Sequence, residues 1–281
     1  MLARSGRYRV RVPANQPPIQ QPPPVQRLRV RYAKRGRARF TSHRDFSRAF
    51  ERALVRAEVP MAYSSGFNPH LRISYANASP TGAATEAEYL EIALKASCDP
   101  AAVKEALDAA LPPGLDVISV VEAEGASLTD LLQASRWEVD LVTADADVLA
   151  AAVAEFLARD AVEVSRMTKS GMRTFDTRSA VVSLTHLGGT KLGLVSLHQT
   201  PLVRPDDIVS ALRIVAPELA TDQPALLARV EQGPLVDGAI ADPFALDAGG
   251  EPGATTVRLC DTGERQDVIQ TSTNDGHRFA A

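Results

Sequence analysis

Arginines crowd one end of the 281-residue chain in spacings that suit phosphate recognition. Arg29 and Arg31 alternate with Leu28, Val30 and Tyr32. Lys34-Arg35-Gly36-Arg37 then forms a tight basic turn, followed by Arg39. Arg44, Arg48, Arg52 and Arg56 recur every four residues and so share one helical face. A guanidinium fork matches phosphate geometry, so the pattern is that of a surface tracking a nucleic-acid backbone. For Arg48, Arg52 and Arg56 the alternative is a merely solvated face. Arg35, Arg37 and Arg39, packed beside Ser42-His43-Arg44, are the sharper candidates.

A second constellation is Tyr63-Ser-Ser-Gly-Phe-Asn-Pro-His-Leu-Arg72. Gly66 and Asn68-Pro69 call for a turn between extended segments. That turn would present Tyr63, Phe67, Asn68, His70 and Arg72 together. An aromatic beside an amide, an imidazole and a guanidinium suits an unstacked base: ring stacking, hydrogen bonds and phosphate contact. A packed loop with satisfied polar groups is the alternative.

His43 and His70 are also the only weak candidates for catalysis, since histidine moves protons near neutral pH. A metal site made from them with Asp45 rests on two histidines far apart in sequence, and none is assigned. No cofactor is assigned either. His43-Arg44-Asp45 imitates a kinase catalytic loop, but position 50 is Phe where Asn is required and no glycine-rich phosphate loop precedes it.

The net charge of −3 hides a strong asymmetry. Residues 1–78 hold 16 Lys and Arg against Asp45, Glu51 and Glu58, whereas the remainder holds 15 against 31 acids. Such a split points to a polyanionic partner at one end. At 45% hydrophobic residues the chain can bury a core, and it contains no apolar run of about 20 residues that would span a bilayer. No secretory signal is apparent, so a cytoplasmic location is expected. Cys98 and Cys260 are too few for a disulfide framework or a cysteine-only metal site.

The elements that must hold these residues fall into two stretches of like order. Residues 1–26 read as a disordered Pro/Gln-rich leader. Residues 27–123 alternate as β-α-β-β-α-β, with Ser42 and Asp45 as a capping box and Asp99-Pro100 opening the second helix. A linker at 124–136 follows, and residues 137–235 repeat the order, with Val162–Arg166 as a strand and Lys169–Arg178 as a polar loop. Arg178 and Arg204 there either pair with acids such as Asp176 and Asp206 or make a second anion contact. Residues 236–281 read as a low-order tail. The expected fold class is α+β, built from two tandem ferredoxin-like (βαββαβ) modules.

Several of these stretches resemble the radical-SAM-linked protein family: Arg29 to Asp45, Tyr63 to His70, Ile73-Ser-Tyr-Ala76, Glu88-Tyr-Leu-Glu-Ile92, Asp176-Thr-Arg178 and Val203-Arg204-Pro205. The resemblance spans about residues 27–235. Leu71 stands where the family often has Pro, as does Ser179. The family is a domain of unknown function, fused to or encoded beside radical SAM proteins and often near ribonuclease E/G. It implies partners rather than a reaction, because this chain lacks the Cys-x3-Cys-x2-Cys motif. The expectation is therefore an accessory protein that binds tRNA or rRNA and presents it to a radical SAM protein acting in trans, or to ribonuclease E/G. An enzyme using His43 and His70, and a scaffold docking an acidic partner, are the alternatives.

Overall fold

A computed structural model describes residues 20–168 and 171–245. Most of the expected leader, the chain beyond residue 245 and Cys260 lie outside the described residues. The protein is mixed α+β, with one large, mostly antiparallel sheet of eight strands.

In the first half, alternating residues of Gln26–Lys34 (β1) place Leu28, Val30 and Tyr32 in the core. The Ser42 hydroxyl accepts the Asp45 N–H (3.2 Å) and donates to the Asp45 carboxylate (2.7 Å), so His43–Arg56 (α1) starts where the capping box requires. Its buried stripe is Phe46, Phe50, Ala53 and Leu54, set against the four-residue arginine face. Ile73–Ala76 (β2), Ala84–Leu94 (β3), Pro100–Ala110 (α2) and Leu115–Glu122 (β4) complete the half. β1 lies between β3 and β4, and β2 pairs with β3; all three pairings are antiparallel. Gly114 (φ +86°) turns α2 into β4, and a Cβ there would sit 2.8 Å from the Arg35 carbonyl oxygen. The backbone thus touches the basic turn where no side chain fits.

The expected linker is not an open connection. Leu128–Leu131 (α3) is a four-residue helical turn, and Leu128 and Leu132 bury themselves against Ala87 and Tyr89 on the opposite sheet face from Leu90 and Ile92. Ala134–Asp140 (β5) begins within the expected linker.

The second half continues with Ala146–Ala158 (α4), Glu163–Thr168 (β6), Gly171–Asp176 (β7), Val181–Gly188 (β8), Lys191–Leu197 (β9), Pro205–Val215 (α5) and Leu226–Gly233 (β10). Its strands run β10-β5-β9-β8, all antiparallel. Two expectations need correction here. The segment 162–166 is not a strand of the main sheet, and the polar stretch after it is not simply a loop: β6 and β7 form a separate hairpin. One face packs on the second-half core through Val164 and Phe175, while Met167 and Met172 are exposed.

The halves join edge to edge. Ala228 and Arg229 pair in parallel with Ala84 and Thr85, so β10 takes the start of the β3 edge while β2 occupies its later part. Helices cover one face in two apolar clusters, one per half. The chain also stays packed past residue 236. Leu235–Val236 (β11) pairs with Ala239–Ile240 (β12), Ala241 is buried, and Phe244 meets Tyr89 edge-on at 5.3 Å. A composition rich in Gly and Asp hid this because a few residues, Ile240, Ala241, Pro243 and Phe244, carry the burial. Gly233 permits it, since a Cβ there would lie 2.1 Å from the Ala241 carbonyl oxygen.

Candidate nucleic-acid interface and adjoining cavity

The basic turn is a 3-10 segment, Gly36–Phe40, with no buried residue. Arg35, one of the sharper candidates, does not stand free. Its guanidinium pairs with Glu86 and, at 2.8 Å, with Asp116, and these partners hold its pKa above the ordinary value. It ties β1 to its neighbours β3 and β4. Arg39 lies over the Phe40 ring at 4.7 Å. Arg37, Arg44, Arg48, Arg52 and Arg72 are exposed and form no ion pair among the described residues. Phe40 (60% exposed), Phe67 (67%) and Tyr63 (42%) expose aromatic surface.

The Tyr63–Arg72 segment is closed by its own hydrogen bonds. The Ser64 N–H donates to the His70 carbonyl (2.9 Å), and the His70 N–H donates to the Ser64 hydroxyl (3.1 Å). His70 Nδ1 lies 3.1 Å from that hydroxyl and 3.3 Å from the Asn68 carbonyl. His70 thus orders the loop, leaving the Phe67 ring outside. His43 is elsewhere, edge-on to Tyr75 at 4.8 Å.

His43 lines a cavity of about 430 Å³ on the helix-covered side of the seam between the halves, and His70 does not. The first half supplies His43 and the turn Asn77–Thr81; the second supplies Trp137, Ser196, His198, Leu202–Pro205 and Arg229. Asn77 takes φ +43°, a left-handed conformation asparagine tolerates, and so bends the chain after β2. Both α1 and α5 begin at this cavity. At the head of α5 the Asp207 carboxylate accepts the Arg204 N–H (2.8 Å) and pairs with Arg166. Asp207, rather than Asp206, therefore does the capping. The Arg204 side chain is exposed and forms no ion pair among the described residues. Arg178 turns its N–H to Asp176 (3.0 Å) and its guanidinium to the Val181 carbonyl (3.3 Å), away from any ligand role.

Beneath the cavity lies a buried polar network that crosses the seam. Arg229 (3% exposed) pairs with Glu88 (1%), donates to the Asn77 carbonyl (2.7 Å) and lies over Trp137 at 5.4 Å. Glu88 also accepts the Ser79 N–H at 3.2 and 3.3 Å, and Gln232 donates to the Ala87 carbonyl (3.1 Å). Burial pushes the Lys34 ammonium down, with Glu88 pulling the other way, and pushes the Tyr32 phenol well up. His198 Nδ1 lies 2.6 Å from the Leu132 carbonyl, to which it donates; Nε2 then accepts from the Ser135 hydroxyl at 2.8 Å. That tautomer is the neutral imidazole, and burial lowers its pKa.

The sequence reading missed Glu88, Trp137, His198 and Arg229 as site residues. Arg229 alone carried a signal: an arginine at an inward position of an apolar strand needs a buried acid. No group of three or more His, Cys, Asp or Glu side chains is gathered for a metal among the described residues.

Residues 27–205 match the family described as an uncharacterized protein conserved in bacteria, DUF2344, and the chain belongs to that family. No curated protein matches the chain. No helix among the described residues is long and apolar enough to cross a membrane.

Proposed function

We propose that this is a cytoplasmic RNA-binding accessory protein whose contact surface is the arginine face of α1 together with Arg37, Arg39, Arg72 and the rings of Phe40, Phe67 and Tyr63. One observation carries the reading: Arg44, Arg48 and Arg52 share a face and none has an acidic partner among the described residues. Surfaces that only need solvation mix their signs. Exposed aromatics and unpaired guanidiniums provide stacking and phosphate contact together. The order β4-β1-β3-β2, echoed by β10-β5-β9-β8, supports the finer reading of two ferredoxin-like modules fused through one sheet. Chemistry on the RNA would fall to a radical SAM protein in trans or to ribonuclease E/G. The family resemblance supports those partners, and the missing cysteine motif fits a role in trans. The rival His43/His70 enzyme is disfavoured, because His70 is engaged in its own loop and absent from the His43 cavity.

The test is a titration of fluorescent tRNA and rRNA fragments with the full chain at several salt concentrations. Binding should weaken steeply with salt, as counterion release requires. The Arg44→Gln/Arg48→Gln/Arg52→Gln variant should lower the salt slope by about 0.9 for each phosphate it no longer neutralises, with unchanged melting. Salt-independent affinity, or affinity indifferent to the triple substitution, would refute the proposal.

A further inference from the structure

The β6–β7 hairpin is built against the charge of its half. Residues 79–281 hold 15 Lys and Arg against 31 acids, yet no acid falls between Val164 and Phe175. Arg166 and Arg173 stand directly opposite each other across the two strands. Like charges so placed disfavour the pairing, and Asp207 answers only Arg166. Arg173 is exposed and forms no ion pair among the described residues. A two-stranded ribbon is marginal in water by itself, so its root has to hold it. Val164 and Phe175 sink into the second-half core, and Arg166 lies over the Phe175 ring at 5.0 Å while donating to the Leu202 carbonyl at 3.2 Å. The other face is open. There the Ser165 and Thr174 hydroxyls bond each other at 2.7 Å, and beyond them Met167 and Met172 stand opposite each other, 69% and 64% exposed. Burial within the fold does not account for two thioethers held side by side in water.

The root also fixes where the ribbon stands. Leu202 and the head of α5 belong to the second-half wall of the seam cavity, and His43, the first residue of α1, belongs to the first-half wall. The hairpin and the arginine face of α1 therefore start from the two walls of one cleft. Thioethers make favourable contacts with aromatic rings, and nucleic-acid-binding proteins set apolar side chains, methionine among them, against bases. A guanidinium beside them, with no acid to hold it, suits a phosphate. An apolar protein socket would leave Arg173 unanswered. We infer that the hairpin is a second RNA contact, an arm that sets Met167 and Met172 against unpaired bases and Arg173 against a backbone phosphate of a strand crossing the seam from α1. The inference rests on the RNA reading of the α1 face and adds the class of ligand: RNA with bases free of a duplex.

The full chain would be titrated at several salt concentrations with a fluorescent single-stranded RNA carrying 4-thiouridine, and with the same strand annealed to its complement. Arg173→Gln should lower the single-strand salt slope by about 0.7, the share of one phosphate. Met167→Thr/Met172→Thr keeps strand-forming residues in the ribbon. It should weaken single-strand binding by about three- to tenfold at an unchanged slope, because thioethers release no counterions. Its duplex binding should match the parent's, and both variants should melt as the parent does. Irradiation should crosslink the 4-thiouridine strand to the hairpin. Single-strand binding that needs Arg44, Arg48 and Arg52 but ignores both hairpin variants overturns the arm in favour of a protein contact, and leaves the α1 face standing. A methionine effect shared equally by the duplex overturns the base contact. No RNA binding, or binding indifferent to the α1 arginines as well, overturns both readings together.

Discussion

The halves lay down their sheet strands in one order but spend their arginines differently. In the second half Arg136 pairs with Glu231 at 2.9 Å, Arg159 with Glu155 at 3.0 Å, and Arg166 with buried Asp207. In the first half the arginines near the sheet do the same, Arg29 with Glu91 and Arg35 with Glu86 and Asp116. Those on the α1 face do not. The arginines beside the sheet are thus tied to acids and those of the α1 face are not, and the unpaired charges are those open to a ligand. Among the described residues of the first half, the positive charge thus divides into paired and unpaired parts, a division that net charge alone cannot show.

The most damaging way to break the comparison is to cut the halves apart at their shared seam. Glu88→Ala leaves Arg229 buried without its counter-charge and should cost about 3–5 kcal/mol in urea unfolding. The Glu88→Leu/Arg229→Met double variant should recover much of that loss, because the pair itself gains little over apolar packing. Unfolding should remain a single transition, since strands of both halves share one sheet. If Glu88→Ala were neutral, or if the double variant were as damaged as the sum of its parts, the network would not be the staple described.

A milder contrast sets one arginine from each half against the other. Arg166→Ala removes the partner of Asp207, which still accepts the Arg204 N–H, so a loss of roughly 1–3 kcal/mol is expected. Arg48→Ala removes a charge that pairs with nothing among the described residues and should change stability by less than about 0.5 kcal/mol. Equal costs measured by urea unfolding would erase the distinction between structural and available arginines.

Local signals carried the elements into view. Alternation gave β1 and β2, and the Ser42 and Asp99 caps gave the starts of α1 and α2, because short-range geometry alone decides them. The seam was not legible. Two residue pairs join β3 to β10, about 140 residues apart, and nothing in either strand announces its partner. The cavity follows from that seam, so Trp137, His198 and Arg229 could not be gathered from spacing. The basic face was readable because helical period places Arg44, Arg48 and Arg52 together. The ion pairs of Arg35 were hidden for the complementary reason, since its partners Glu86 and Asp116 come from β3 and β4.

The gentlest probe of the seam is pH. His198 is on the second half, but its donor hydrogen bond goes to Leu132 in the connection between the halves, and Asn77 of the first half reaches the same carbonyl at 3.4 Å. Burial lowers the His198 pKa below 6.5, with the Leu132 carbonyl opposing and Arg229 adding to the fall. The unfolded chain therefore takes up this proton at a higher pH than the folded one does. Stability from this group is complete above pH 6.5 and falls as pH drops through that value toward the folded pKa. His198→Gln, which cannot titrate, should flatten that part of the stability–pH profile while costing some stability at neutral pH through its altered hydrogen bonds. Urea unfolding of both proteins between pH 5 and 8 reads the difference. Parallel profiles would mean that His198 titrates alike in both states and that the seam does not hold it neutral.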